Sequence, residues 1–204
     1  MIFIELFVPR GTLDGDRRRR LAEALGDVTR LARGEEMQEG WKRVMGSLLQ
    51  VVVHEPEVWV VDQGVAADGA PRYVVRAHVP GPWRKSMAQS LVEHVTEAVA
   101  EIEDDPRRPY REPVVQVQVV GVAEGSLGVL GRSVDSDGIV ELMNEPYRED
   151  YEQGRAVVDP LCGVYVVLDE SAVTLERDGV LHGFCCAGCR DAFIEKEEKA
   201  AARA

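Results

Sequence analysis

Residues 73–79, Tyr-Val-Val-Arg-Ala-His-Val, lead through Pro80-Gly81-Pro82 to Met87, Leu91, Val95, Ala98 and Ile102, then to residues 114–122, Val-Val-Gln-Val-Gln-Val-Val-Gly-Val. The first and last of these pieces are rich in β-branched residues, which suit a pleated, half-buried surface. The middle piece repeats its apolar residues every three or four positions, which places them on one face of a helix. Asp104-Asp105-Pro106 ends that helix, because proline lacks the amide hydrogen the next turn needs. Strand, helix, strand is the order that lets two strands pair in parallel through a right-handed crossover.

The same order precedes it. Met1 to Val8 reads as a strand, Pro9-Arg10-Gly11 as a turn, and Asp14 or Asp16 as a helix cap. Leu21, Leu25, Val28 and Ala32 give that helix its apolar stripe, with Gly34 as a stop. Leu48 to Val53 reads as the second strand, extended beyond Pro56 by Trp59, Val60 and Val61. Two near-equal halves suggest duplication, and packing them together would bury both helix stripes. The glycine-punctuated segment 124–132 suits a turn and a short hairpin.

Beyond it, Asn144 to Gly154 is polar, contains Pro146 and reads as a linker, taken as 144–157 between a body of 1–143 and a tail of 158–204. The tail has strand signals over Val164–Leu168 and Gly179–Phe184 and a helix from about Ala187 to Ala202. It also holds every cysteine: Cys162, Cys185, Cys186 and Cys189. A helix brings residues four apart to one face, so Cys185 and Cys189 can point together, and a helix N-terminus favours thiolates. Three thiolates and one further group make a tetrahedral zinc set. Three alone suit copper(I) or mercury(II). Cys186 and His182 are the candidates for the fourth position. A disulfide from Cys162, inert buried thiols and a catalytic thiol are the competing readings. About forty-five residues bury little apolar surface, so a bound ion is expected to staple the tail.

The 204 residues carry 24 basic and 36 acidic side chains, a net charge of -12 that opposes adhesion to phosphate backbones. Arg17 to Arg20 are accordingly read as a solvated helix side, and no nucleic-acid partner is expected. No apolar run reaches the roughly 20 residues that span a bilayer, and Met1 to Pro9 lacks the marks of a signal peptide. A reducing cytoplasm suits so few cysteines. His54, His78 and His94 read as surface or edge residues, and Trp41, Trp59 and Trp83 as packing.

Val8-Pro9-Arg10-Gly11-Thr12-Leu13 followed by Arg20 to Leu25, Val53-His54-Glu55-Pro56, and Val119 to Arg132 together resemble the tautomerase superfamily. The form is the 4-oxalocrotonate tautomerase-like one, with two β-α-β units fused in one chain. The resemblance covers about residues 1–135 and implies a duplicated β-α-β sheet with two helices, a homotrimer, and an N-terminal proline that moves protons on an enol or keto acid. Here Ile2 follows Met1, and Pro71 at the start of the second half holds its nitrogen in an amide, whose delocalised lone pair is no base. Met1 as a primary amine, with Arg10 or Arg132 for a small carboxylate, is what catalysis or binding of the family type would have to use.

Asp159-Pro160-Leu161-Cys162-Gly163, a hairpin, and Phe184-Cys185 with Cys189 and Phe193 resemble the YHS domain of the TRASH type, a small ββα treble-clef-like metal-binding module. Its usual aromatic pair is replaced here by His182-Gly183, and its serine after the second cysteine by Cys186. The two resemblances together imply an α+β protein. It would bind zinc, copper or mercury in its tail, on a tautomerase-like scaffold without the family's proline. A tautomerase with a metal-binding attachment is the alternative.

Overall fold

The computed structural model describes residues 2–31, 37, 39–61, 64–65, 71–170 and 172–201. In the first half, β1 (Ile2–Phe7) is followed by α1 (Gly15–Leu25), α2 (Val28–Leu31), α3 (Glu39–Leu48) and β2 (Leu49–His54). Asp14 caps α1 by accepting the Arg17 N–H. A minor hairpin, β3 (Val60–Val61) with β4 (Gly64–Val65), leads on to the second half. That half runs β5 (Tyr73–Pro80), α4 (Arg84–Ala100), α5 (Arg108–Arg111) and β6 (Val115–Val122).

The sheet order is β2-β1-β5-β6. β1 pairs β2 in parallel, β5 pairs β6 in parallel, and the halves meet through an antiparallel β1–β5 seam. Period-two alternation sends Ile2, Ile4 and Leu6 of β1, with Tyr73, Val75 and Ala77 of β5, to one face. α1 and α4 cross that face and touch each other, burying Leu21, Leu25, Leu91, Val95 and Ala98 completely. Each such leucine or valine contributes roughly 1.5–3 kcal/mol when removed from water. The chain is therefore of the α+β class, built from a repeated β-α-β unit.

After the sheet come β7 (Leu127–Val129) and β8 (Arg132–Val134), a hairpin turning through Leu130 and Gly131 with φ of 51° and 75°. That geometry is natural for Gly131 and uncommon for Leu130. Next are α6 (Ser136–Asn144), α7 (Arg148–Glu152), β9 (Ala156–Val158), β10 (Tyr165–Val167), β11 (Val173–Arg177), β12 (Val180–Phe184) and α8 (Ala187–Ala201).

Several expectations are corrected. Segment 144–157 is folded: a 3-10 turn over Glu145–Tyr147, α7 and β9 occupy it. The Gly40 N–H donates to the Tyr147 hydroxyl at 2.6 Å, tying this segment to α3. A Cβ at Gly40 would lie 2.5 Å from that oxygen, so the contact needs glycine. β10 pairs with β9, and β11 with β12, so the tail has two hairpins. Trp59 to Val61 do not extend β2, because Pro56 and the turn around it end the ladder. α1 stops at Gly26, and Val28 belongs to the next helix, while Ala32 and Gly34 lie outside the described residues. His94 is 5% exposed on α4, its ring against the Leu25 carbonyl, not at an edge.

Candidate metal centre

Each cysteine is delivered by a different local device. Cys162 sits in the loop from β9 to β10. Gly163 follows it at φ +79° and donates its N–H to the Asp159 carbonyl. Cys185 comes directly after β12. Cys186 precedes α8, and its carbonyl accepts the Arg190 N–H that closes the first helical turn. Cys189 lies in that turn. β12 approaches β9 and β10 closely at Gly183, where a Cβ would meet Val157 at 2.6 Å. This is why glycine stands there, and it brings the end of β12 toward the Cys162 loop.

The Cys162 and Cys185 sulfurs are 3.6 Å apart, as are those of Cys185 and Cys189. Cys186 Sγ lies 3.8 Å from Cys185 Sγ. Thiolates held tetrahedrally at about 2.3 Å from zinc would be about 3.8 Å apart, close to the three spacings around Cys185. No disulfide joins any of the four. Cys162 and Cys185 also pack against the core of the body.

Asp159 completes the centre. Its carboxylate is 1% exposed. Oδ1 accepts N–H groups from Leu161 and Cys162 at 2.8 and 3.3 Å, and Oδ2 accepts from Cys185 at 2.9 Å. One buried side chain thus ties the Cys162 loop to the end of β12. Donor atoms of Asp159, Cys162, Cys185 and Cys189 all lie within 4.8 Å of one another. Behind them, the Asn144 amide of α6 donates to the Gly163 carbonyl at 3.0 Å and accepts the Tyr165 N–H at 2.7 Å. These two bonds grip the chain on either side of Val164.

The thiols titrate as one set. Donation from Cys185, then Cys189, pulls Cys162 down to about 3. Cys186 falls to about 3 for the same reason, aided by the N–H groups of Cys189 and Gly188. The protons so shared stay on Cys185 and Cys189, both pushed upward, Cys185 chiefly by the Cys162 thiolate. Burial, then the nearby Cys162 charge, raises Asp159 against the pull of its N–H donors.

Of the residues singled out by sequence, Cys162, Cys185 and Cys189 come together. Cys186 touches this group through Cys185. His182 does not: it faces Leu175 across the β11–β12 hairpin and packs near the Phe184 and Phe193 rings, centroids 6.4 and 5.2 Å away. Sequence reasoning quoted Asp159 within its motif but missed its role. The signal was its spacing of two and three residues from the amides it caps, an Asx turn.

In the body, Met1 lies outside the described residues. Arg10 and Arg132 are exposed, and neither forms an ion pair among the described residues. Each of Arg17 to Arg20 faces a carboxylate: Asp104, Glu55, Asp16 and Asp16 in turn. On the sheet face away from the helices, Glu5 lies between His78 and His54, at 3.0 and 3.2 Å. Donation from His78 leads in holding Glu5 below its usual value. No described helix is long and apolar enough to cross a membrane.

No protein-family model matches the chain. No curated protein matches it either. Solved structures do: Pt0534 inactivated by 2-oxo-3-pentynoate, at 12% identity and TM-score 0.49, covers 67% of this chain and 98% of its own. R7 fused 4-OT, a wild-type asymmetric trimer, is 17% identical with TM-score 0.49 over 67% of this chain and 98% of its own. N1, a member of the cis-3-chloroacrylic acid dehalogenase family, is 16% identical with TM-score 0.49 over 74% and 99%.

Proposed function

We propose that this protein binds a soft metal ion through Cys162, Cys185 and Cys189, in a YHS-type tail carried on a tautomerase-like, non-catalytic scaffold. The observation that carries it is sulfur spacing: three thiols, drawn from the loop before β10, the end of β12 and the first turn of α8, within 3.6 Å of their neighbours. Zinc, copper(I) and mercury(II) all suit sulfur donors. A reducing compartment such as the cytoplasm would keep the thiols free.

The scaffold's part is assembly. The sheet face opposite α1 and α4 carries Phe3, Phe7 and Val52 around Glu5, and a homotrimer meeting through this face is the arrangement we favour. On such a scaffold a small carboxylate would be a ligand near Arg10 or Arg132.

Elemental analysis of the purified protein tests the central claim. One soft ion per chain is expected, lost on chelation, with protease then cutting faster within residues 156–201 than in the sheet. A chain that holds no ion after exposure to zinc or copper(I), or a tail equally resistant with and without chelator, would defeat it. Light scattering gives the mass of the assembly independently.

A further inference from the structure

Cys186 is the sulfur that the proposed ligand set does not use. It lies 3.8 Å from Cys185, directly ahead of α8, and its sulfur is within reach of the amide hydrogens that open the helix. Serine would fill that capping role as well or better. Cysteine therefore adds only one thing at this place, a fourth soft donor.

The four sulfurs differ in what stands behind them. Cys162 and Cys185 pack against the core of the body. Cys186 and Cys189 belong to the start of α8, a helix with no buried residue. Cys162 and Cys186 thus flank the shared Cys185 sulfur at 3.6 and 3.8 Å, one on the side of the body and the other on the side of α8, and Cys189 lies 3.6 Å from the same sulfur. Cys162, with Cys185 and Cys189, makes the inner set of donors, and Cys186 in its place makes the outer one.

We infer that Cys186 is an exchange ligand, through which a soft cation enters and leaves the inner set one sulfur–metal bond at a time. The inference rests on the metal-binding function proposed above. On entry, Cys185, Cys186 and Cys189 take the ion first. Cys162 then forms its bond as the Cys186 bond breaks, so one bond is made and one lost. One thiolate replaces another at the ion, so the charge of the ligand set is unchanged. No electrons change hands. Such stepwise substitution avoids releasing a bare ion, the costly event in moving a tightly held cation between partners.

The test uses the full chain and copper(I) buffered by bicinchoninate, whose colour reports free and bound metal. Cys186→Ser keeps the cap and should keep one copper(I) per chain with affinity within about threefold of wild type. Its rates of loading and unloading should fall at least tenfold. Cys162→Ser should do the reverse, losing affinity while still exchanging fast. Equal exchange rates in Cys186→Ser and wild type would overturn the inference. So would a tenfold loss of affinity in Cys186→Ser, which would make Cys186 a permanent ligand. Wild type that binds no copper(I) would instead sink the metal-binding function itself, before any rate is compared.

Discussion

The body and the tail are held together by different means. In the body, fully buried aliphatic side chains run from β1 and β5 into α1 and α4 as one continuous core. Among the described residues of the tail, buried apolar groups are few: Ala156, Val166 and Phe184, with Val164 joined to the body's core. Its segments are joined by two short hairpins, the Asp159 and Asn144 hydrogen bonds, and four neighbouring sulfurs. A packed core is indifferent to ions. A fold closed by polar clamps around thiols can be strengthened or loosened by what the thiols hold. The contrast explains how one chain can combine a rigid platform with a responsive end.

The comparison can be broken from the side of the body first. Leu91 in α4 is 0% exposed within the core, so Leu91→Ala should cost about 2–5 kcal/mol in transfer and cavity terms. Urea titration followed by far-ultraviolet circular dichroism would show it. Titration of native thiols in the same variant, in the absence of urea, should remain as in wild type. If thiol reactivity rose together with the loss of body stability, the two regions would be one cooperative unit.

From the side of the tail, Asp159→Ala leaves three amides of the centre without their acceptor. Each buried orphan costs about 1–3 kcal/mol unless water reaches it. Hydrogen exchange should quicken at Leu161, Cys162 and Cys185, and metal affinity should fall, while amides of β1 and β5 stay protected. Unchanged exchange at Cys185 would mean that the carboxylate is not what joins the loop to β12.

How far the sequence foretold these differences depends on periodicity. The β-α-β halves were legible because alternation in Tyr73–Val79 and the Met87–Ile102 stripe are strong, local and concordant. The antiparallel β1–β5 seam between them left no such mark, since strand partners are chosen by tertiary packing. Segment 144–157 was misjudged because Pro146 and its charges look like a linker. Yet Pro146 opens a 3-10 turn, where a missing amide hydrogen does no harm, and Tyr147 finds its partner at Gly40, far away in sequence. Cysteine clustering foretold the sulfur centre. The clamp of Asp159 across to Cys185 was hidden for the same reason as the seam, as it links residues 26 positions apart.

The smallest expected effect belongs to His94, and it separates the regions by pH. His94 is buried between α4 and the end of α1, with Asp27, Arg30 and Glu97 the charged groups that bear on it. Burial is the leading cause that lowers its value below the usual 6.5. The unfolded chain therefore takes up a proton first as pH falls. Stability from the neutral ring is complete above about pH 6.5 and drains away below it, until the folded state also protonates. The slope for one proton cannot exceed about 1.4 kcal/mol per pH unit, and the partial shift here should give less. Urea midpoints of wild type should decline from pH 7 to 5, and His94→Gln should flatten that part of the curve while leaving thiol reactivity alone. Parallel curves for the two proteins would assign the acid sensitivity elsewhere, with the carboxylate and thiols of the tail the next groups to examine.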